Sequence, residues 1–167
     1  MKRLIKVALC VSFIFYLLAL AVLLFLGTRG YGWVDLTLME YIKRFSNFVP
    51  FKTISTYIEA LSSGSMNRDI PIKNLVGNLI MFLPMGIYLP YLIKRTNKVS
   101  KFSIAMIIVL FVIEVIQLVT RRGSFDIDDF ILNMLGALLG FGIWKMKFVQ
   151  KLLKKPLEDS AFPFESL

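Results

Sequence analysis

Three pairs of polar residues sit inside otherwise apolar stretches of this chain, at spacings that put both members on one helix face: Asn74 with Asn78, Glu114 with Gln117, and Asp129 with Asn133. Beside them lies Arg121-Arg122-Gly123-Ser124-Phe125-Asp126-Ile127-Asp128-Asp129, where both signs of charge crowd one short turn. Carboxylates at Asp126, Asp128 and Asp129 could hold a hard cation such as calcium or magnesium, and the two arginines could hold a phosphate or carboxylate through paired N–H donors. Asp126 is equally a natural N-cap for a helix starting at Ile127, and Asp128 and Asp129 suit that helix's positive end without any ligand. The chain contains no histidine, which removes histidine-based phosphatase and hydrolase chemistry and the usual zinc sites. Its one cysteine, Cys10, lies in an apolar run, so no disulfide closes within the chain and packing is its expected role. Leu9 stands where a lipidation signal would carry a small residue.

The elements that must position these groups are membrane helices. Hydrophobic residues make up 57% of the 167 and mean hydropathy is +0.70, more apolar material than a soluble domain can hide. Stretches at 5–26, 74–93, 102–119 and 127–144 approach the roughly 20 apolar residues needed to cross a bilayer. They predict an all-α integral membrane bundle of four spans in one domain, 1–167. No internal repeat suggests the inverted halves of a transporter. The first run is read as a retained anchor, because no Ala-x-Ala cleavage site precedes Gly27-Thr28-Arg29-Gly30. Pro84 cannot donate to the carbonyl of Ile80, so the second span should kink there and a neighbour must cover the freed acceptor. Gly136 and Gly140, four apart, allow close helix approach. The connection from 27 to 73, with Trp33 and Asp35 near its start, carries two short amphipathic patterns: Leu36 to Phe45, expected to end at Pro50, and Thr53 to Leu61.

A formal charge of +9 and a pI near 9.8 could suggest nucleic acid, but the basic residues flank apolar runs and form no continuous surface. They mark topology instead. Lys2, Arg3 and Lys6 at the start, Lys94, Arg95, Lys98 and Lys101 between the second and third spans, and Lys145, Lys147, Lys151, Lys154 and Lys155 in the tail put both termini in the cytoplasm. The 27–73 connection and the Thr120 to Phe125 turn then face outside. At about 1.5 Å of rise per residue, Asn78 and Asn133 lie about 7 Å and Glu114 about 10 Å below the outer boundary. Three helices thus bring polar side chains to one layer. An acid in an apolar span normally meets a partner or a wet cavity, and Arg121 and Arg122 are the nearest candidates for Glu114.

These residues resemble the VanZ-like family of bacterial membrane proteins. The matching stretches are Asn47-Phe48-Val49-Pro50-Phe51-Lys52-Thr53-Ile54, Asn74-Leu75-Val76-Gly77-Asn78, Phe82-Leu83-Pro84-Met85-Gly86, Glu114-Val115-Ile116-Gln117, Arg122, Asp126-Ile127-Asp128-Asp129, Asn133, Gly136 and Gly140. They cover about residues 47–144. The resemblance implies a multi-pass protein of the bacterial cell membrane linked to resistance to glycopeptide antibiotics, chiefly teicoplanin, and it carries no settled catalytic mechanism. The favoured reading is a non-enzymatic binding protein in contact with membrane lipids. Its outer pocket would take a lipoglycopeptide antibiotic or a cell-wall lipid precursor through Asn74, Asn78, Glu114, Gln117, Arg121, Arg122, Asp126, Asp128, Asp129 and Asn133. One alternative is a metal-dependent enzyme modifying a lipid or glycan headgroup, with the aspartates holding magnesium and Glu114 as base. Another is a structural subunit of a membrane complex.

Overall fold

The structure, a computed structural model, describes residues 2–26 and 36–158. The stretch expected to open the long connection, with the residues at 27–30, Trp33 and Asp35, lies outside the described residues. Four helices are long and apolar enough to cross a membrane: Val7–Leu26, Asp69–Leu92, Val99–Val119 and Ile127–Lys145. The protein is therefore a helical membrane bundle, and the large apolar side chains on its flanks, such as Ile104, Ile108 and Phe111, are exposed because lipid is their solvent.

Helix α1, Lys2–Ala21, continues without proline or glycine into a π-helical turn, Val22–Leu26. The second span starts at Asp69, several residues before the expected 74, because Pro71 sits in the first turn, where a helix does not use its N–H. It is broken where Pro84 requires it. Helix α4, Asp69–Met81, and helix α5, Met85–Leu92, are separated by a three-residue turn. The carbonyl of Ile80 takes the Leu83 N–H at 3.2 Å, and that of Met81 takes the Tyr16 hydroxyl of α1 at 2.9 Å. One acceptor at the break is thus covered locally and the other by a neighbour, as a lipid environment demands.

The third span is α6, Val99–Val119, and the fourth is α7, Ile127–Lys145. Helix α7 lies against α4, α5 and α6. Its glycines face the broken span: a Cβ on Gly136 would lie 1.9 Å from the Leu79 carbonyl oxygen, and one on Gly140 1.9 Å from that of Leu83. Gly86 returns the approach from α5, where a Cβ would meet the Ala137 carbonyl oxygen at 2.2 Å. No side chain larger than hydrogen fits at any of the three. Register rises together along both helices, so the second and fourth spans run in the same direction. Beneath the glycines, Phe82, Phe102, Met106, Ala137, Phe141 and Trp144 form a closely buried core.

At the aspartate-bearing end, helix α2, Leu38–Arg44, strand β1, Ser46–Asn47, and helix α3, Lys52–Ser63, bridge the first and second spans. Thr37 caps α2 in a capping box with Glu40, and the Thr37 hydroxyl and backbone N–H hold the Glu40 carboxyl below its ordinary range. Pro50 does not end α2, which stops at Arg44; it belongs to the turn that leads into α3. Strand β1 pairs in parallel with β2, Phe125–Asp126, setting Asn47 opposite Asp126. At the lysine-bearing end, the Trp144 indole donates to Asn97 Oδ1 at 2.8 Å. A helix the sequence reading did not assign, α8, Lys147–Glu158, follows there and lies against α1 and α7.

Candidate functional site

The carboxylates of Asp126 and Asp128 are turned toward the connection and that of Asp129 toward α4, and each has protein donors. Asp126 caps α7 by accepting the Asp128 N–H at 2.9 Å, as its position before the helix suggests. It also accepts from Asn47 Nδ2 at 3.0 Å and from the Thr53 hydroxyl at 2.6 Å. Asp128, wholly buried, serves a different helix from the one it belongs to. Its Oδ1 accepts the Phe51 N–H at 2.5 Å, and its Oδ2 accepts the N–H groups of Thr53 at 2.7 Å and Ile54 at 3.1 Å. These are the orphan donors at the start of α3, which a carboxylate satisfies while also meeting the positive end of the helix dipole. Phe51 adopts a left-handed conformation, φ 65°, which costs a non-glycine residue about 1–2 kcal/mol. The clamp holds it there.

Among the described residues no three acidic or cysteine side chains come together as ligands of one metal ion. Asp126 and Asp128 spend their lone pairs on N–H and O–H donors, which a cation would have to displace.

Polar residues inside the second, third and fourth spans are buried. Asn78, Glu114, Gln117, Asp129 and Asn133 are all nearly inaccessible. Asn78 Nδ2 donates to Asp129 Oδ1, joining α4 to α7. Gln117 reaches elsewhere: its Nε2 donates to the Leu24 carbonyl at 2.9 Å, covering an acceptor in the π-helical turn of the first span. Asn133 Oδ1 and Asn74 Oδ1 are buried and accept no hydrogen bond among the described residues. In apolar surroundings an acceptor left in that state costs about 1–3 kcal/mol.

Arg121 and Arg122 lie exposed on the turn above. Arg121 has φ 56° and sets its guanidinium 5.9 Å from the ring centre of Tyr41, whose hydroxyl donates to the Gly123 carbonyl at 3.0 Å. The structure therefore divides the predicted residues into four groups. Asp126 and Asp128 form a clamp, Asn78, Glu114, Asp129 and Asn133 are buried with half-buried Asn74 one turn from Asn78, the arginines sit at the surface, and Gln117 braces the first span. Sequence reasoning gave no role to Asn47, Phe51 and Thr53, the clamp's other half, or to Tyr41. An Asx residue and a threonine flanking a proline turn just before an amphipathic helix were the available signal.

A family model described as VanZ/LLP1 matches residues 13–150. Protein VanZ of Enterococcus faecium is 26% identical over 109 residues, which are 65% of this chain and 58% of that protein. The chain thus spans less than two thirds of that relative's length. No solved structure matches.

Proposed function

Because the chain belongs to the VanZ/LLP1 family, we propose that it is a VanZ-like membrane protein linked to glycopeptide resistance, teicoplanin above all, which acts by binding an amphiphile at the outer leaflet. In this reading the aspartate-bearing end faces outside and both termini face the cytoplasm, as the distribution of lysine and arginine favours. The ligand is a lipoglycopeptide or a cell-wall lipid precursor. Its acidic groups meet Arg121 and Arg122, its donors reach the layer of Asn74, Glu114 and Asn133, and its acyl chain runs along the apolar flank.

The observation that carries this reading is the pair of buried amide oxygens, Asn74 Oδ1 and Asn133 Oδ1, with no donor among the described residues. A buried acceptor with no internal donor costs stability, and this favours a role in which the donor comes from outside the bundle. A ligand bringing hydroxyl or amine donors fills both.

The test is antibiotic susceptibility and photo-crosslinking to a lipid precursor, with wild type and the Glu114→Ala, Asn133→Ala and Arg122→Gln variants at matched membrane abundance. Teicoplanin resistance and crosslinking should fall together in each variant. If all three variants keep both at wild-type level, the binding reading is wrong. The structural-subunit reading has one observation in its favour, the internal satisfaction of Asp126, Asp128 and Gln117. It expects the same variants to change co-purification with a second membrane protein while crosslinking to lipid stays absent.

A further inference from the structure

Helix α8 is laid out in three adjoining strips. Lys147 and Lys151 are exposed. Next to them around the helix come Phe148 and Leu152, 76% and 60% exposed. Beyond those, Val149 and Leu153 pack against the core of the bundle. Each strip is a pair spaced i, i+4 and so runs along one face. A helix in water would turn its whole apolar arc to the bundle. This one gives half of that arc to the bundle and leaves the other half open beside a lysine edge.

The open half continues the lipid-facing surface. Along α7, Leu135, Leu139 and Ile143 are exposed, and Met146 at the junction with α8 is exposed too. The charge at this end is predominantly basic, although α8 closes on Glu158. No acidic residue occurs in 82–113 or 130–157, while Lys94, Arg95, Lys98 and Lys101 are exposed nearby on the segment to which Trp144 and Lys145 bond through Asn97.

We propose that α8 is an interfacial helix that binds anionic phospholipid, with Phe148 and Leu152 in the acyl boundary and Lys147 and Lys151 on the phosphates. Apolar side chains flanked by lysines are the pattern that seats a helix at the headgroup level, and basic side chains near a bilayer surface select anionic over zwitterionic lipid. The interaction fastens the C-terminal segment to the leaflet and, through Val149 and Leu153, to the first and fourth spans.

The experiment uses the full chain in vesicles of phosphatidylcholine alone or mixed equally with phosphatidylglycerol, with a spin label at Leu152→Cys in a Cys10→Ser background. In both bilayers the label should collide more with oxygen than with a water-soluble nickel chelate. A label open to nickel, or shielded from both reagents as burial against protein would leave it, overturns the proposal. In native mass spectrometry the Lys147→Gln and Lys151→Gln variants should each lose about fivefold of the wild-type preference for retained phosphatidylglycerol over phosphatidylcholine. An unchanged preference in the double variant, with the bundle intact by circular dichroism, also overturns it.

Discussion

Replacing Asp128 with asparagine tests the clamp between the fourth span and α3. In the wild type one carboxylate takes three backbone donors, from Phe51, Thr53 and Ile54. Asparagine presents a single acceptor oxygen. If it takes the place of Oδ2, the N–H groups of Thr53 and Ile54 keep neutral partners, and the new NH2 faces the Phe51 N–H donor to donor. An orphaned buried N–H costs about 1–3 kcal/mol, and changing a charged acceptor for a neutral one removes about another 1 kcal/mol per bond. The sum is about 3 kcal/mol or somewhat more, and it falls on the docking of α3. The bundle itself, held by the glycine contacts between α7 and the broken second span, should survive.

Backbone hydrogen exchange reads this directly. The first N–H groups of a helix have no partner within it, so any protection at Phe51, Thr53 and Ile54 comes from Asp128. Local opening governs exchange there, and about 3 kcal/mol corresponds to exchange faster by about a hundredfold. In the Asp128→Asn protein in lipid nanodiscs, those amides should speed up by that factor while amides in the middle of α6 stay at wild-type rates. Rates at the three positions within about threefold of wild type would refute the clamp energetics, since a hundredfold change is expected from the bonds lost. Loss of protection throughout the bundle would refute the separation of clamp from bundle.

Alanine at Gly136 or Gly140 should lower thermal stability in detergent by several degrees or prevent folding, because its Cβ falls within 1.9 Å of a backbone oxygen, whereas alanine at Gly142, with nothing within 4 Å, should be neutral or stabilising by up to about 1 kcal/mol. Gln117→Leu leaves the Leu24 carbonyl without its donor and should destabilise by about 1–3 kcal/mol, read as a lower midpoint in chemical denaturation with the effect concentrated in the first span. Hydrogen bonds from Thr37 hold the Glu40 carboxyl low, so the α2 cap is in place above the ordinary carboxylate range and is lost as pH falls through the lowered value. Thr37→Ala removes the hydroxyl and keeps the backbone N–H, so by NMR the Glu40 titration should rise part of the way back toward its ordinary range.

Much of the fold was legible because a bilayer permits few solutions. A run of apolar residues long enough to cross it must be helical, and one proline in such a run leaves a carbonyl that needs covering. The carbonyl freed at Ile80 is covered locally by the Leu83 N–H and not, as expected, by a neighbouring helix. What could not be read was the cover of the next acceptor: Tyr16 lies 65 residues from Met81, and no local pattern ties a tyrosine in the first span to a break in the second. That the polar residues of the spans turn inward was legible, but not their pairing. Helix periodicity put Asp128 at the N-terminus of the fourth span, where it lies, but gave no sign that its carboxylate also serves the start of α3, 75 residues away at Thr53. Side chains that join elements far apart in sequence leave no spacing signal in either one.

That division also explains why the acidic turn and the buried layer should be separated when function is considered. Asp126 and Asp128 accept from donors on the connection, so their charge fixes where β1 and α3 dock. The layer beneath has a different balance. Asn78 supplies an N–H to Asp129, but Gln117 is directed away to the first span, and the amide oxygens of Asn74 and Asn133 accept nothing among the described residues. Removing donors from a buried layer while leaving its acceptors in place works against stability. In the proposed reading an incoming group supplies these donors, and the exposed Arg121 and Arg122 meet its acidic groups. Restoring the balance from within should therefore separate stability from function. Leucine at Asn133, which removes the open acceptor and keeps the volume, should stabilise the bundle by about 1 kcal/mol or more and abolish crosslinking to a lipid precursor. If it destabilises the bundle instead, the Asn133 amide has a structural partner and the open acceptor cannot be the ligand's contact.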